Sequence, residues 1–441
     1  MKPYYPFYTG RQVKQSSISN LDYSFEARHA LIGAQMFFIA FGALVLVPIL
    51  TGMSSSVAMF TAGVGTLIFQ LITRGRIPIF LGSSFAFIAP IIYGVQTWGL
   101  ASTLCGLAAT GIVYIGLGLL VKFQGVGIIQ RLLPPIVTGP VIMVIGLSLA
   151  PVAIGMATKL EGGNGVTLEM SQALFISMGA LAGTIIASIF GRGVIKLIPI
   201  LCGITVGYLL GLYYGIVDFS GIKNSAWLVP PTFTFMKFNI EAVFFILPVA
   251  IAPIIEHVGN IVAIGSITGR DYLKDPGLDK TLIGDGFSIM FASVVGGPPN
   301  TTYSEVSGGI ALTKAYNPGV LTWAALSAIC LSFVGKLSAF LSSIPPQVMG
   351  GIMVLLFGAI VVVGMNTLVK SGEDLMIPRN MAIVAVVLVF GLGGLMIETG
   401  EISLQGIGFS DVKVNISLQG IGLAGITGLL LHLILPKHKG E

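Results

Sequence analysis

The sequence predicts an all-α polytopic membrane protein of fourteen transmembrane spans, built as two inverted seven-span repeats, with spans 3 and 10 broken by short extended segments. Three observations carry that prediction. Hydrophobic residues make up 54% of the 441 and charged residues only 9%, with a mean hydropathy of +0.94, whereas a soluble domain carries about a quarter charged residues. Residues 29–73 and 77–121 contain no Asp, Glu, Lys or Arg, and each stretch is long enough for two helices of about 20 residues. Finally, "LPPIVTGPVIMVIG" from Leu133 and "IPPQVMGGIMVLLFG" from Ile344 share a double proline, a valine, a glycine and an apolar run.

Apolar runs between charges and Gly or Pro breaks define the first seven spans near 30–50, 56–73, 79–98, 100–121, 133–156, 172–191 and 195–217. The second seven lie near 240–263, 281–295, 300–315, 318–340, 346–367, 381–397 and 416–436. Loop charges test that count, because Lys and Arg accumulate on the cytoplasmic side. With the amino terminus inside, only Lys159, Lys223, Lys237, Lys336 and Lys413 of the 23 Lys and Arg residues fall outside. Both termini are therefore expected in the cytoplasm, with residues 1–28 as a cytoplasmic arm and 437–441 as a tail. The arm has no apolar run near its start, so no cleavable signal peptide is expected. "ISLQGIG" occurs at 402 and again at 416, read as a local duplication in an external loop.

Several function classes drop out. The net charge of +5 is scattered through short loops, whereas nucleic-acid binding needs a clustered basic face. Cys105, Cys202 and Cys330 lie in separate apolar runs without His nearby, which suggests neither a metal site nor a disulfide framework. They read as packing residues. No phosphate-binding loop, nucleophile–base pair or cofactor motif is visible in the spans, so neither an ATP motor nor an enzyme is expected.

The matched double prolines open spans 5 and 12. Seven is odd, so the second half is threaded upside down relative to the first, and inverted repeats of this kind mark alternating-access transporters with a site at the midplane. Span 3 opens with "PIFLGSSFAF" and span 10 contains "GGPPNTTYSEVSGG". Gly82, Ser83, Ser84 and the Pro298–Pro299 pair would suit plain loops at a membrane edge. Their occurrence in the third segment of each half favours an extended piece followed by a half-helix. Unwound backbone inside a membrane is tolerated only where protein or a water-filled cavity satisfies it, and two half-helix N-termini would present free N–H groups inward.

Two carboxylates stand in otherwise uncharged spans, where an ionised group costs a few kcal/mol or more. Glu305 belongs to broken span 10. Glu256 belongs to span 8, with Pro253 three residues before it to loosen the helix and Asn260 one turn after it on the same face. Glu256 could instead pair with Arg270 near the cytoplasmic end, and Glu305 could cap a helix; convergence on the repeat interface favours a site. Ionised carboxylates accept hydrogen bonds and donate none, so two of them favour a ligand with two N–H or O–H donors, while half-helix N–H groups suit its carbonyls. A small planar cyclic imide or amide meets both conditions; an inorganic anion would be repelled. Burial penalises the charged form of a carboxyl, which gives either Glu a route to proton coupling. His257 points about 100° away from Glu256 and is expected to pack or hydrogen-bond against a neighbouring span. Asp285 opens span 9 and either caps a helix or lines the cavity. Glu398 is read as interfacial.

At these residues the chain resembles the nucleobase–ascorbate transporter family, also called nucleobase:cation symporter family 2, and within it the bacterial uracil:proton symporters. The resemblance runs from about residue 25 to 436 and is carried by "FGALVLVPIL", "GRIPIFLGSSFAFIAP", "EHVG", "DPGLDKTLIGDG" and "PNTTYSE". It implies a core domain, residues 29–122 (spans 1–4) and 240–340 (spans 8–11), and a gate domain, residues 123–217 (spans 5–7) and 341–436 (spans 12–14). It implies a base held by Glu256, Glu305 and backbone groups at Phe85 and Ser304, between apolar walls at Ala43, Phe85, Tyr303 and Phe357. It implies a bacterial inner-membrane transporter importing uracil with H+, needing no cofactor, in some members as a homodimer. Purine-type relatives tend to carry Gln at the position of Glu305. Three departures bear on the transfer: Asn260 stands where uracil carriers commonly have a His implicated in coupling, Ser304 replaces a Gly, and Phe357 replaces a Tyr. Glu256, Glu305, Asn260 and Asp285 are the coupling candidates. The alternative reading is a xanthine or other purine symporter of the same family, and, in a different class, an inorganic anion exchanger of similar architecture.

Overall fold

In a lipid setting every backbone N–H and C=O needs an internal partner, which helices supply within a single segment. The computed structural model describes residues 22–393, 396–403 and 413–436. Its helices, in chain order, are α1 (Ala30–Thr51), α2 (Ser55–Ile72), α3 (Ile88–Trp98), α4 (Leu100–Gln124), α5 (Gly127–Leu132), α6 (Pro135–Ala157), α7 (Met170–Phe190), α8 (Pro199–Tyr213) and α9 (Ser220–Asn224). They continue as α10 (Ile240–Ile246), α11 (Ile251–Thr268), α12 (Leu278–Val294), α13 (Ser304–Thr313), α14 (Pro318–Ser332), α15 (Gly335–Ser342), α16 (Pro346–Ser371), α17 (Pro378–Leu392) and α18 (Gly420–Ile434). Strands β1 (Leu81–Ser83), β2 (Asn300–Thr302), β3 (Met396–Ser403) and β4 (Lys413–Gln419) complete the chain. Among the described residues, seven helical runs are long and apolar enough to cross a membrane: Ala27–Thr51, Ser55–Ile72, Leu100–Gln124, Pro135–Ala157, Met170–Phe190, Ile240–Thr268 and Pro346–Ser371.

Proline sets several of these starts. Helices α6, α8, α14, α16 and α17 each carry Pro in the first turn, where its fixed φ suits a helix and its missing N–H costs nothing. In both double-proline motifs the first proline is the extended residue before the helix and the second begins it. Helices α6 and α16, started by the same device, are then each other's most extensive partners.

The helices associate mainly within two groups. In one, α2 packs on α14 and α12, α4 on α12 and α10, and α1 on α14 and α13. In the other, α6 packs on α16, α17 and α18, and α7 on α8 and α16. Close approach in the first group depends on glycine. A Cβ at Gly111 of α4 would lie 2.6 Å from the Gly286 carbonyl oxygen of α12, and one at Gly286 would lie 2.7 Å from the Gly111 oxygen. Small residues facing one another let membrane helices meet backbone to backbone, and this contact fixes the height of Asp285.

The structure departs from the sequence reading at three places. The stretch 318–340 is two helices, α14 and α15, because the loop before α10 takes over the backbone at the break: Val229 N–H donates to Phe333 O at 2.8 Å and Gly335 N–H to Trp227 O at 3.0 Å. The chain is also not wholly helical outside β1 and β2, since β3 pairs antiparallel with β4, Ile402 opposite Val414. Alternation of Val414, Ile416 and Leu418 with polar residues was a strand signal, so the second "ISLQGIG" begins in a strand and ends in a helix. Residues 404–412 between those strands, the arm before Asp22 and the tail 437–441 lie outside the described residues, as does the side chain of Glu398. Of the cysteines, Cys105 is buried, Cys202 half-buried and Cys330 exposed, all as free thiols, so core packing describes only the first.

Replacing Gly286 by Val is expected to force α4 and α12 apart and destabilise the protein by about 1–3 kcal/mol, the usual range for overpacking. Thermal unfolding in detergent measures it, with Gly116→Ala, which faces open space, as the control that should not shift.

Candidate functional site

Two extended segments meet inside the first helix group. β1 pairs antiparallel with β2, Leu81 opposite Thr302, Gly82 opposite Thr301 and Ser83 opposite Asn300, and all six residues are buried. Their backbone groups are satisfied from neighbours as well as from each other. Ser84 N–H donates to Pro299 O at 2.9 Å, Tyr303 N–H to Phe80 O at 3.0 Å, and Leu81 N–H to Thr66 Oγ1 at 3.0 Å. Each strand runs directly into a helical segment, β1 through a tight turn at Phe85–Phe87 into α3 and β2 into α13.

Side chains from these segments and from α11 form the site. Tyr303 lays its ring over Gly82, where a Cβ would come within 2.6 Å of the ring, and donates its hydroxyl to Ser83 O at 2.7 Å. Phe85 stacks on that ring, centroids 6.4 Å apart and planes 26° apart. Asn260 spends its amide on the strand: Nδ2 donates to Thr302 O at 2.8 Å and to Thr302 Oγ1 at 3.1 Å. It pins β2 to α11 and is almost wholly buried. Glu256, one turn earlier, is accessible along the open face of α11 with Gly259 and Ala263. Its carboxyl is near enough to that of Glu305 for the two charges to interact, and Arg270, the alternative partner, instead reaches Asp22 at 3.1 Å.

Glu305 and the exposed Ser304 occupy the first turn of α13, where backbone N–H groups have no partner within the helix. Both line a cleft of about 380 Å3, together with Ile39 and Gly42 of α1 and with the segment from Lys196 to Leu201 that opens α8. The two helix groups face each other across it. Ala43 and Phe357 are buried and do not line this cleft.

Two features escaped the sequence reading. Asp285 neither caps α12 nor faces the cleft's lining: it is fully buried, 2.7 Å from Nδ1 of His257, whose Nε2 lies 2.9 Å from Thr281 Oγ1. The spacing of Thr281 and Asp285, four residues apart on one face of an apolar helix, was the available signal. The Lys196–Leu201 stretch gave none, because only folding brings it opposite α13. No group of His, Cys, Asp and Glu suited to a metal occurs among the described residues.

Comparison with known proteins adds the following. Residues 28–399 match the model of a family described as a permease family. A probable uracil permease of Pasteurella multocida is 50% identical over 413 residues, covering 94% of this chain and 95% of that protein. The uracil permease of Bacillus caldolyticus is 41% identical over 411 residues, covering 92% and 91%. Among solved structures, the transmembrane domain of a cyanobacterial bicarbonate transporter, BicA, aligns with a TM-score of 0.60 at 13% identity, covering 92% of this chain and 96% of that one.

Asn260→Ala removes the donor to Thr302 and leaves a buried carbonyl unsatisfied, which costs about 1–3 kcal/mol. The expected outcome is a lower unfolding temperature in detergent with the helical circular dichroism of the folded state unchanged.

Proposed function

The chain belongs to the permease family, the nucleobase:cation symporters, and from that premise we propose that it imports uracil together with protons by alternating access. It is a multi-pass membrane protein and a transporter rather than an enzyme. The observation that carries the substrate reading is the packing of α11 on α13, which brings Glu256 within electrostatic reach of Glu305 in the first turn of α13. Uracil offers two ring N–H donors to carboxylates and two carbonyls to free helix N–H groups, and the stacked Phe85–Tyr303 pair offers a flat wall to a planar ring. A bicarbonate-like anion would meet two negative charges. The likeness to BicA concerns the fold alone.

Fourteen crossings accommodate the helices, with β1–α3 as the broken third segment and β2–α13 as the broken tenth. The packing pattern supports an inverted repeat: exchanging each segment for its counterpart seven later turns the α2–α14 contact into α12–α4, and α7–α8 into α17–α18. Residues 29–122 and 240–340 then act as the core that carries the base, and 123–217 and 341–436 as the gate. With both termini in the cytoplasm, the loop holding Arg192 and Lys196 is cytoplasmic. A cleft running from Glu305 to Lys196 supports an inward-facing state, from which the base leaves between α13 and α8. Asn260, engaged with Thr302, cannot titrate, so coupling falls to the carboxylates.

Proteoliposomes are expected to accumulate labelled uracil when given an inward acid gradient, and excess xanthine should leave that uptake intact. Block by xanthine would move the substrate to the purines, and indifference to the gradient would remove the proton. Glu305→Gln deletes one charged acceptor, worth about 1.5–3 kcal/mol, so uracil affinity should fall roughly 10- to 100-fold; transport unchanged by that substitution would favour an anion exchanger.

A further inference from the structure

His257, Asp285 and Thr281 join α11 to α12 with no exposed surface between them, and their hydrogen bonds can be counted proton by proton. The Thr281 hydroxyl has a single proton, and it reaches the Leu278 carbonyl at 3.0 Å. Where that hydroxyl donates to Leu278 it accepts at His257, 2.9 Å away, and Nε2 then carries a proton. Nδ1 and Asp285 Oδ2 are 2.7 Å apart, too close for two lone pairs to face each other. In this first arrangement a second proton lies between them, as imidazolium against carboxylate or as imidazole against carboxylic acid. Either way the trio is neutral.

Removing that proton leaves a second arrangement in which both ring nitrogens are bonded. The ring's remaining proton sits on Nδ1 and faces the carboxylate, while Thr281 swings its hydroxyl from Leu278 to the bare Nε2. The trio then carries one negative charge, both ring nitrogens keep a partner, and one hydroxyl rotation is the only side-chain motion. Buried polar groups that lose a partner are costly; here neither state loses one at the ring.

The surroundings connect this unit to the site. Glu256 precedes His257 on α11. Tyr114 of α4 sets its ring edge-on to His257, centroids 6.3 Å apart, and lies within electrostatic reach of both Asp285 and Glu256. Its buried hydroxyl and Asp285 Oδ1 have no protein partner. Glu256 in turn lies within electrostatic reach of both Glu305 of α13 and Asp285.

We infer that the His257–Asp285 pair, with Thr281 as its rotor, holds the coupling proton, the task for which Asn260 has no titratable group. The inference rests on the reading of the chain as a proton symporter. Loss of the proton puts a negative charge beside Glu256, which links the charge of the pair to the charge of the ligand-holding acid.

Asp285→Asn tests it, because an amide donating to Nδ1 reproduces the protonated arrangement permanently. In proteoliposomes the variant is expected to lose acid-driven uracil accumulation while still exchanging external for internal uracil. Retained acid-driven accumulation overturns the inference. So does loss of exchange in a variant that still binds uracil in detergent, since that result assigns the pair a structural role. If the variant does not fold, the wild-type protein decides: uracil binding in weakly buffered detergent should take up or release a proton, and the Thr281→Val variant, which has no rotor, should shift the pH profile of uptake whereas Thr281→Ser should not. No proton exchange on binding, or identical profiles for Val and Ser, overturns the inference. A wild-type carrier that ignores the acid gradient removes the symport reading itself, a failure distinct from all of these.

Discussion

The pairing of β1 with β2 is the constraint on which the rest of the structure depends. Two chain segments give up helical hydrogen bonding in the interior of a protein that offers them no bulk water, and an unpaired buried backbone group there costs several kcal/mol. Each segment completes the other, and the remaining groups are taken by Thr66, Phe80, Pro299 and Asn260. Once these partners are in place, the chain can start a helix in mid-structure, and Ser304 and Glu305 stand where a helix has N–H groups to give. The placement of Ser304 and Glu305 in the cleft is thus a by-product of solving a backbone problem.

Charge is handled with similar economy. Glu256 and Glu305 lie within each other's fields, while Asp285 is kept out of the cleft and set against His257. Three acids in one group of helices therefore divide into two with accessible side chains and one buried against a partner. The close backbone contact of Gly111 with Gly286 seats α12 against α4 next to Asp285, so α12 packs on α4 through glycine and bonds to α11 through Asp285 and Thr281.

Much of this was legible beforehand because membrane solvation acts on every residue of a segment and so leaves a long signal. Charge-free stretches, double prolines at helix starts and acids in apolar surroundings can each be read locally. Short signals misled. The stretch 318–340 is mostly apolar, yet a distant loop claims the backbone at Phe333 and Gly335. The alternation in 413–419 was outweighed by its position next to an apolar helix. Asn260 lies on the face of Glu256 as its spacing requires, but its amide turns to Thr302.

The sequence by itself determined the solvent, the order of the helical segments and the two places where extended backbone interrupts them, since each follows from hydrophobicity and proline geometry. Only the tertiary structure decided which polar groups meet. His257 finds Asp285 and Thr281 across α11 and α12, Glu256 finds Glu305, and the Lys196–Leu201 stretch closes a cleft against α13. Hydrogen bonds reach only about 3 Å, so partners distant in sequence are chosen by how helices cross, and no local pattern records that crossing.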